Sequence, residues 1–353
     1  MALNRFVDTI LRWIVGATFL FSGFVKAVDP VGTTIYVEKY LSTYSLDVLI
    51  PCAIYLAVAL SVVEFVLGAA LVVNIFRRYA LWAVTTILAM FSVVTLLGAT
   101  VLPIGDCGCF GEAIKLSPLA TFLKNIFLLL ISLYLLRSRL PADRTRVSSV
   151  VVVCAALCVV LGVNLYALRH LPLIDLLPYR EGTNLRALVA AERGKQEDAA
   201  QLIFRNTTTG ELEYFAMDDV ECWLTEELEY LDAQSAVVAE EGMLYADFAI
   251  YDSYGEELSE SLLAEPGRVA WLCVRSGEAA EQHIAGIERL LAAYPAKAVV
   301  VLTADDVLDV KPLSPLRCYS VDAMTLRSIM RAEVGVVVLN DGVVEFKSNI
   351  DDI

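Results

Sequence analysis

The sequence predicts an all-α membrane bundle of about five transmembrane helices, followed by a water-soluble α/β domain. Hydrophobic residues make up 58% of the 353 residues and the mean hydropathy is +0.63, well above the values of an ordinary soluble chain. The net charge of −15 comes mostly from the second half, where acidic residues such as Glu211, Asp218 and Glu221 cluster. A domain this acidic excludes electrostatic binding of nucleic acid.

Five apolar segments are long enough to cross the hydrocarbon core, which requires ~20 helical residues. They span residues 6–28, 49–75, 79–101, 119–136 and 147–168. The first segment resembles a signal peptide, but no small-residue cleavage site follows it, so we expect a retained helix. Asp29-Pro30 and Ser117-Pro118 lie at segment edges, where the missing N–H of proline costs least.

Basic residues in the short loops predict the orientation, because Lys and Arg favour the cytoplasmic side. Arg77 and Arg78 lie between the second and third segments, and four arginines lie between the fourth and fifth, within residues 137–146. We therefore expect a cytoplasmic N-terminus. The first and third loops and the C-terminal domain are expected to be extracytoplasmic, so the chain is a multi-pass protein in a lipid bilayer.

The chain is expected to divide into a membrane domain (1–170), a proline-rich extended connector (171–198) and an acidic α/β domain (199–353). In the last domain we expect a hairpin at 201–215, strands at 269–274, 297–303 and 318–321, helices at 278–294 and 324–331, and a hairpin turning at 340–342. This order predicts an α/β sandwich with a parallel portion.

The loop after the third segment contains the most specific motif, Asp106-Cys-Gly-Cys-Phe-Gly111. Cys107 and Cys109 are separated by one residue, so a disulfide between them needs a contracted backbone, which Gly108 permits. Such a bond is easily reduced and relatively oxidising. The motif therefore suggests a redox pair on the outer side of the membrane.

Two other interpretations of this motif stay open. Neighbouring thiolates also suit Cu(I) or Zn(II), although His170 and His283, the two histidines of the chain, do not lie at ligand spacing from the cysteines. We therefore expect no metal site. The second alternative is structural, in which two small cysteines occupy a tight loop without a chemical role.

Glu64 lies in the middle of an apolar segment, where an ionised carboxylate is costly unless it is paired or protonated. It is expected to face the interior of the bundle, with Lys26 as a candidate partner. Snorkelling of Lys26, or its pairing with Asp29, is an equal alternative. Glu64 can hydrogen-bond a quinone, carry a proton, or simply hold helices together.

Four further residues bear on the redox hypothesis. Cys52, near the outer end of the second helix, is a candidate resolving thiol for the loop, and the charge of Asp106 opposes thiolate formation beside it. Cys154 and Cys158 share one face of the fifth helix, too far apart for an easy disulfide. We expect them to be small buried apolar residues.

The membrane half resembles the DoxX superfamily, and within it the MauE-like, redox-associated membrane proteins. The resemblance covers roughly residues 5–170. It rests on the first-helix pattern Arg12…Gly16…Phe19…Ser22-Gly23…Lys26, on Glu64 and Gly68 in the second helix, and on the Cys-Gly-Cys-Phe-Gly run. It implies the bacterial cytoplasmic (inner) membrane and disulfide formation with a thioredoxin-like partner, as in the maturation of methylamine dehydrogenase.

The C-terminal half faintly resembles a thioredoxin-like domain, with a strand ending in Trp271-Leu-Cys273 followed by helix, strand, helix and hairpin. Residues 274–279 stand where a Cys-x-x-Cys motif would open the helix, and no proline precedes the strand at Val336. The resemblance therefore implies a degenerate, redox-inactive domain. Cys273 and Cys318 are expected to be core strand residues.

Two hypotheses of function follow, and the sequence leaves open whether the chain is an enzyme. In the first, Cys107 and Cys109 form a thiol–disulfide relay that oxidises an extracytoplasmic thiol protein or a thioredoxin-like partner. Its electron acceptor is not specified by any motif, and a quinone is the candidate cofactor. In the second, the bundle is a non-catalytic anchor, and the acidic domain is a scaffold or recognition module for an envelope partner.

Overall fold

The computed structural model describes residues 2–100, 108–111, 113–114, 116–138, 147–177, 179–207, 212–216, 228–235, 248–305 and 310–353. The chain divides into two compact units, Met1–Leu177 and Pro178–Ile353, which we name the membrane unit and the C-terminal unit. Each unit contains its own apolar core.

The membrane unit is built from α-helices. They are α1 (Ala2–Val28), α2 (Pro30–Thr43), α3 (Ala53–Val72), α4 (Arg77–Thr100), α5 (Pro118–Arg137) and α6 (Val147–Arg169), with a 3-10 helix at Asp47–Cys52 before α3. Within the described residues, five helices are long and apolar enough to cross a membrane, and they coincide with the five predicted segments. The prediction of a multi-pass membrane protein is confirmed.

Helices α1 and α3 form the closest helix pair of this unit, because glycines line their contact. A Cβ atom added to Gly68 of α3 would lie 2.5 Å from the backbone nitrogen of Leu20 and 2.7 Å from the carbonyl oxygen of Gly16. Small residues allow helix backbones to approach this closely in membranes. The buried face of α1 repeats every three or four residues, through Asp8, Arg12, Gly16, Phe19, Gly23 and Lys26.

Charged residues join the helices at the amino-terminal end of α1. The Arg12 guanidinium donates to the carbonyls of Leu71 and Val72, the latter at 2.8 Å, in the last turn of α3, where carbonyls lack partners within the helix. Arg77 at the start of α4 pairs with Asp8 at 2.8 Å. These contacts place the start of α1, the end of α3 and the start of α4 at one end of the bundle.

Helix α2 was not predicted. Asp29 is its N-cap and accepts a hydrogen bond from the Gly32 backbone N–H at 2.8 Å, and Pro30 is its first residue. Acidic N-caps followed by proline are favourable starts of helices. The sequence analysis used Asp29-Pro30 only as the end of the preceding segment, although the same pair begins the next helix.

In its described residues, the C-terminal unit contains two sheets. Strands β1 (Ala200–Asn206), β2 (Leu212–Ala216) and β3 (Leu228–Ser235) form an antiparallel sheet in the order β2-β1-β3, which confirms the first hairpin. The larger sheet contains β4 (Ile250–Tyr251), β5 (Arg268–Val274), β6 (Val299–Thr303), β7 (Arg317–Val321), β8 (Val334–Asn340) and β9 (Val343–Asn349).

The larger sheet has the order β4-β7-β6-β5-β8-β9 in the part of the chain that the structure describes. Strands β5, β6 and β7 are parallel, whereas β8 is antiparallel to β5 and β9 is antiparallel to β8. The predicted parallel portion is confirmed. The predicted turn is also confirmed, because Asp341 and Gly342 both have positive φ, as a tight two-residue hairpin requires.

This unit also contains five described helices, and two sequence-based expectations about them are wrong. The helices are α7 (Leu185–Ala199), α8 (Ser259–Leu263), α9 (Gly277–Gln282), α10 (Ile284–Ala293) and α11 (Ala323–Ile329). The predicted helix at 278–294 is broken at His283, whose Nδ1 lies 2.9 Å from Asp351 Oδ2. Within the expected extended connector, Asn184 caps α7 by accepting from the Ala187 N–H at 3.0 Å, so residues 185–199 are helical instead.

The close contact of α1 with α3 predicts that a single methyl group at Gly68 is destabilising. Gly68→Ala should lower the free energy of unfolding in detergent by about 1–3 kcal/mol, because backbone atoms of α1 have to move away. Gly162→Ala in α6 is the matched control, since no atom of the described residues lies within 4 Å of its added Cβ. Equal unfolding free energies for the two variants would contradict the described packing.

Candidate functional site

The structure brings three of the predicted site residues together, at the carboxyl-terminal end of α1. Lys26 of α1, Glu64 of α3 and Cys109 of the loop before α5 meet in one cluster. Cys107 and Asp106 lie outside the described residues. Cys52 is exposed at the end of the 3-10 helix and is absent from the described residues that line the cavities beside the cluster.

The Lys26 ammonium lies at the centre of this cluster, which we name the lysine junction and define as Ser22, Lys26, Glu64 and the Cys109 carbonyl. Among the described residues, Lys26 Nζ donates to Ser22 Oγ, Glu64 Oε2 and the Cys109 carbonyl oxygen, each at 2.7 Å. The Ser22 hydroxyl donates to the same carbonyl, also at 2.7 Å. Three acceptors match the three N–H bonds of an ammonium group, so the buried cation is fully solvated by protein.

Both charges of the junction are buried, with side-chain exposures of 4% for Lys26 and 4% for Glu64. The alternatives of snorkelling and of pairing with Asp29 are therefore not what the structure shows. Asp29 instead caps α2. A buried ion pair gives little net stability over an apolar pair, but removing one partner leaves an uncompensated charge and is strongly destabilising.

The loop that carries Cys109 is held in a conformation that requires glycine. Gly108 has φ +62° and Gly111 has φ +52°, in the left-handed region that disfavours other residues. A Cβ atom on Gly108 would also lie 2.5 Å from the Tyr36 ring of α2. The Gly111 N–H donates to the Gly108 carbonyl at 3.0 Å, which closes a turn around Cys109 and Phe110.

Phe110 anchors the same turn in the bundle. Its side chain is buried and packs against Phe21 of α1, with ring centroids 5.4 Å apart. Lys124 Nζ of α5 lies 4.2 Å from the centroid of the Phe110 ring, within the range of a cation–π interaction. The described part of the motif, residues 108–111, is therefore fixed by contacts with α1, α2 and α5.

Two cavities border Cys109 and Lys26 in the described part of the membrane unit. The smaller one, lined also by Glu64 and Asn125, has a volume of about 20 Å³, which is enough for about one water molecule. Asn125 Nδ2 is buried and finds no hydrogen-bond partner among the described residues, so one residue at the border of this void has an unsatisfied donor. The void is too small for an organic ligand.

The larger cavity has a volume of about 230 Å³, and we name it the tyrosine cavity. Tyr36 and Tyr40 of α2 and Tyr44, which is the C-cap of α2, line one side at intervals of four residues. Val94 and Phe91 of α4 line the opposite side, and Cys109 and Lys26 lie at its border with the lysine junction. The Tyr44 hydroxyl donates to the Val94 carbonyl at 3.3 Å and so connects the two walls.

Sequence reasoning missed this cavity because it missed α2. The repeated tyrosines at spacing four were the available signal, since this spacing places side chains on one face of a helix. Cys154 and Cys158 were expected to be buried, and this is wrong, because both are exposed on α6. Helix α6 packs inward through another face, where Asn164 Nδ2 donates to Ser61 Oγ of α3 at 3.1 Å.

The described cysteines of the C-terminal unit do not form a second thiol pair. Cys273 in β5 is buried, as predicted, and its burial raises the pKa of the thiol to about 12. Cys318 was expected in the core, and this is wrong, because its side chain is exposed.

Part of the membrane unit matches a known protein family. Residues 4–138 match the family model described as methylamine utilisation protein MauE, and this match covers the chain from α1 to the end of α5. Comparison with curated proteins and with solved structures gives no match. The membrane half is therefore MauE-like, and the matched range includes the lysine junction and the Cys-Gly-Cys loop.

The lysine junction predicts strong energetic coupling between Lys26 and Glu64. Lys26→Met should lower the free energy of unfolding in mixed micelles by about 3–5 kcal/mol, because Glu64 loses its counter-ion. The double variant Lys26→Met/Glu64→Leu should be more stable than Lys26→Met alone. Lys39→Met in α2 is the matched control and should cost less than about 1 kcal/mol. Additive losses in the double variant would show that the pair is not coupled.

The raised pKa of Cys273 predicts slow alkylation of the folded C-terminal unit. A rise from the ordinary 9.0 to about 12 reduces the thiolate about a thousandfold at pH 8. Iodoacetamide should modify Cys318 and leave Cys273 unmodified until urea unfolds the chain, as peptide mass spectrometry can measure. Burial favours the neutral thiol in the folded state relative to the unfolded state. Its contribution to the free energy of unfolding is therefore complete below pH 9 and is lost as the pH rises towards 12. Equal labelling of both cysteines at pH 8 would contradict this assignment.

Proposed function

We propose that this MauE-like membrane protein is a thiol–disulfide oxidoreductase, in which Cys107 and Cys109 oxidise an extracytoplasmic thiol protein or a thioredoxin-like partner. The observation that carries the proposal is the lysine junction. Lys26 and Ser22 hold the Cys109 carbonyl on α1, and Glu64 ties this group to α3. A reactive loop fixed on rigid helices keeps its backbone position while its sulfur bonds change.

The conformation of the loop supports a redox function over a purely structural one. Cys109 is half-buried, between the lysine junction and the tyrosine cavity, and it is followed by the buried anchor Phe110. Gly108 supplies the left-handed turn that a Cys-Gly-Cys pair needs in order to approach ring closure. A loop that merely connected two helices would not need a buried ammonium group that donates to one of its backbone carbonyls.

The proposed exchange transfers two electrons to the Cys107–Cys109 disulfide. A partner thiolate attacks one sulfur, a mixed disulfide forms, and the other cysteine leaves as a thiolate that takes up a proton. The second partner thiol then attacks the mixed disulfide. The products are an oxidised partner and a reduced Cys107/Cys109 pair, so each turnover requires subsequent re-oxidation.

The proposed topology places this loop outside the cytoplasm, in the bacterial inner membrane, with the C-terminal unit on the same side. The Arg77–Asp8 pair and the Arg12 contact lie at the opposite end of α1 from Lys26. Asp8 and Lys26 are eighteen residues apart, or about 27 Å along a helix, close to the thickness of a hydrocarbon core. Basic residues at the Arg77 end support its cytoplasmic location.

A second proposed role concerns the C-terminal unit, as a recognition module rather than a redox domain. The order β6-β5-β8-β9, with a parallel pair followed by an antiparallel hairpin, supports the thioredoxin-like interpretation. The buried Cys273, with a pKa of about 12, favours recognition over thiol chemistry. If the whole chain were a non-catalytic scaffold, this unit would bind an envelope partner and the bundle would anchor it. We also propose that the bundle is related to the DoxX superfamily.

A single-turnover assay tests the proposed function. The purified full chain is oxidised, freed of oxidant, and mixed under argon with a fluorescent peptide that contains two cysteines. The wild type should convert about one equivalent of peptide dithiol to disulfide, because the pair accepts two electrons. Cys109→Ser, mixed instead with the oxidised peptide, should accumulate a mixed disulfide on non-reducing gels, because the Cys107 thiolate attacks the peptide disulfide and releases one peptide thiol. Cys107→Ser should not oxidise the reduced peptide.

Matched variants distinguish this relay from the scaffold. Cys158→Ser removes an exposed cysteine of α6 and should leave the conversion unchanged. Cys52→Ser tests the candidate resolving thiol, and normal conversion would assign the exchange to the loop alone. Absence of both conversion and adduct, in protein that remains monodisperse, would refute the relay and leave the scaffold.

A further inference from the structure

Reduction of the Cys107/Cys109 pair leaves the proposed relay without an acceptor for its two electrons. We infer that the tyrosine cavity binds the ring of a quinone, which re-oxidises the reduced pair. This inference rests on the proposed function, because a quinone beside the loop has a role only if the cysteines cycle. It also assigns a ligand to a cavity that the disulfide exchange itself does not use.

The position of the cavity is the first argument. Cys109 and Gly108 line one wall, so a ligand in the cavity contacts the backbone of the redox loop. The other walls belong to α2, α3 and α4, through residues such as Tyr40, Leu60 and Val94. Because α3 and α4 are long and apolar enough to cross a membrane, we expect the cavity to lie within reach of molecules dissolved in the bilayer. Quinones are the redox-active molecules that dissolve there.

Size and lining are the second argument. The volume of about 230 Å³ lies just below the roughly 300–1,000 Å³ of sites for drug-sized ligands, so it suits one ring system with its chain outside. Aromatic side chains, namely Tyr36, Tyr40, Tyr44 and Phe91, surround this space and can stack on a planar ring. An acyl chain would need no aromatic walls.

The volumes of the two cavities indicate that the quinone ring does not bind beside Glu64. Glu64 lines the smaller cavity, whose volume of about 20 Å³ admits about one water molecule and no ring. Lys26 and Cys109 border both cavities. The ring is therefore expected on the tyrosine side of the lysine junction, and Glu64 acts as the counter-ion of Lys26 rather than as a direct ligand of the quinone.

The re-oxidation step balances with the quinone as the oxidant. Two thiols, Cys107 and Cys109, lose two electrons and two protons, and one sulfur–sulfur bond forms. The quinone gains the two electrons, its two carbonyl oxygens take up the protons, and a hydroquinone leaves the cavity. The net result of both half-reactions is transfer of hydrogen from a protein dithiol to a membrane quinone.

A binding experiment tests the site without turnover. The full chain in micelles is illuminated with a short-chain azido-ubiquinone and digested, and labelled peptides are identified by mass spectrometry. Label is expected in the peptides that contain residues 36–44 or 91–95, and an excess of unlabelled short-chain ubiquinone should compete with it. Labelling confined to the outer surface of α6, or labelling without competition, would overturn the inference.

A pair of variants tests the role of the cavity in electron transfer. Val94→Trp fills the cavity and should slow anaerobic re-oxidation of the reduced pair by short-chain ubiquinone about tenfold or more, with a matching loss of labelling. Val93→Trp is the matched control, because Val93 is 58% exposed and faces away from the cavity, and its rate should stay within about twofold of the wild type. If Val94→Trp does not yield monodisperse protein, Leu41→Trp fills the cavity from α2.

The two half-reactions separate the inference from the proposed function. Peptide oxidation by pre-oxidised protein does not involve the quinone, so it should proceed normally in Val94→Trp. Normal peptide oxidation together with wild-type quinone re-oxidation in Val94→Trp and Leu41→Trp would overturn the cavity assignment alone. Loss of peptide oxidation in the wild type itself would overturn the relay, and with it the need for an acceptor.

Discussion

The membrane unit depends on one buried ammonium group and the acceptors that surround it. Lys26 satisfies its charge with a carboxylate from another helix, a hydroxyl one turn earlier and a carbonyl from the loop. None of these groups would be stable alone in an apolar bundle, because an unpaired charge or polar group there costs several kcal/mol. These mutually dependent contacts thus join α1, α3 and the Cys109 carbonyl of the loop.

This dependence explains why the residues of the first-helix pattern occur together. Arg12, Gly16, Ser22, Gly23 and Lys26 occupy the buried side of α1, where each has a separate task. The glycines permit close backbone approach, Arg12 satisfies the last carbonyls of α3, and Ser22 and Lys26 hold the loop. A motif spread over fifteen residues of sequence is therefore one continuous contact surface in space.

The sequence was sufficient for features that depend on local composition, and insufficient for those that depend on packing. Apolar length predicted the five long helices, and a charge within an apolar segment predicted an interior Glu64 with Lys26 as a candidate partner. The tyrosine cavity was not predictable in this way, since it forms only where α2, α4 and the loop converge. Cys318 was wrongly assigned to the core for a similar reason, because strand propensity does not show which side chains of a strand are covered by packing.

The two cationic side chains of α1 have a mechanical consequence. Arg12 donates to carbonyls in the last turn of α3, and Lys26 pairs with Glu64 two turns earlier. The two helices are therefore joined at two positions along their length. Sliding or rotating one helix along the other would break both attachments at once. Any movement that admits a ligand is therefore expected in α2, while α1 and α3 serve as the stationary frame.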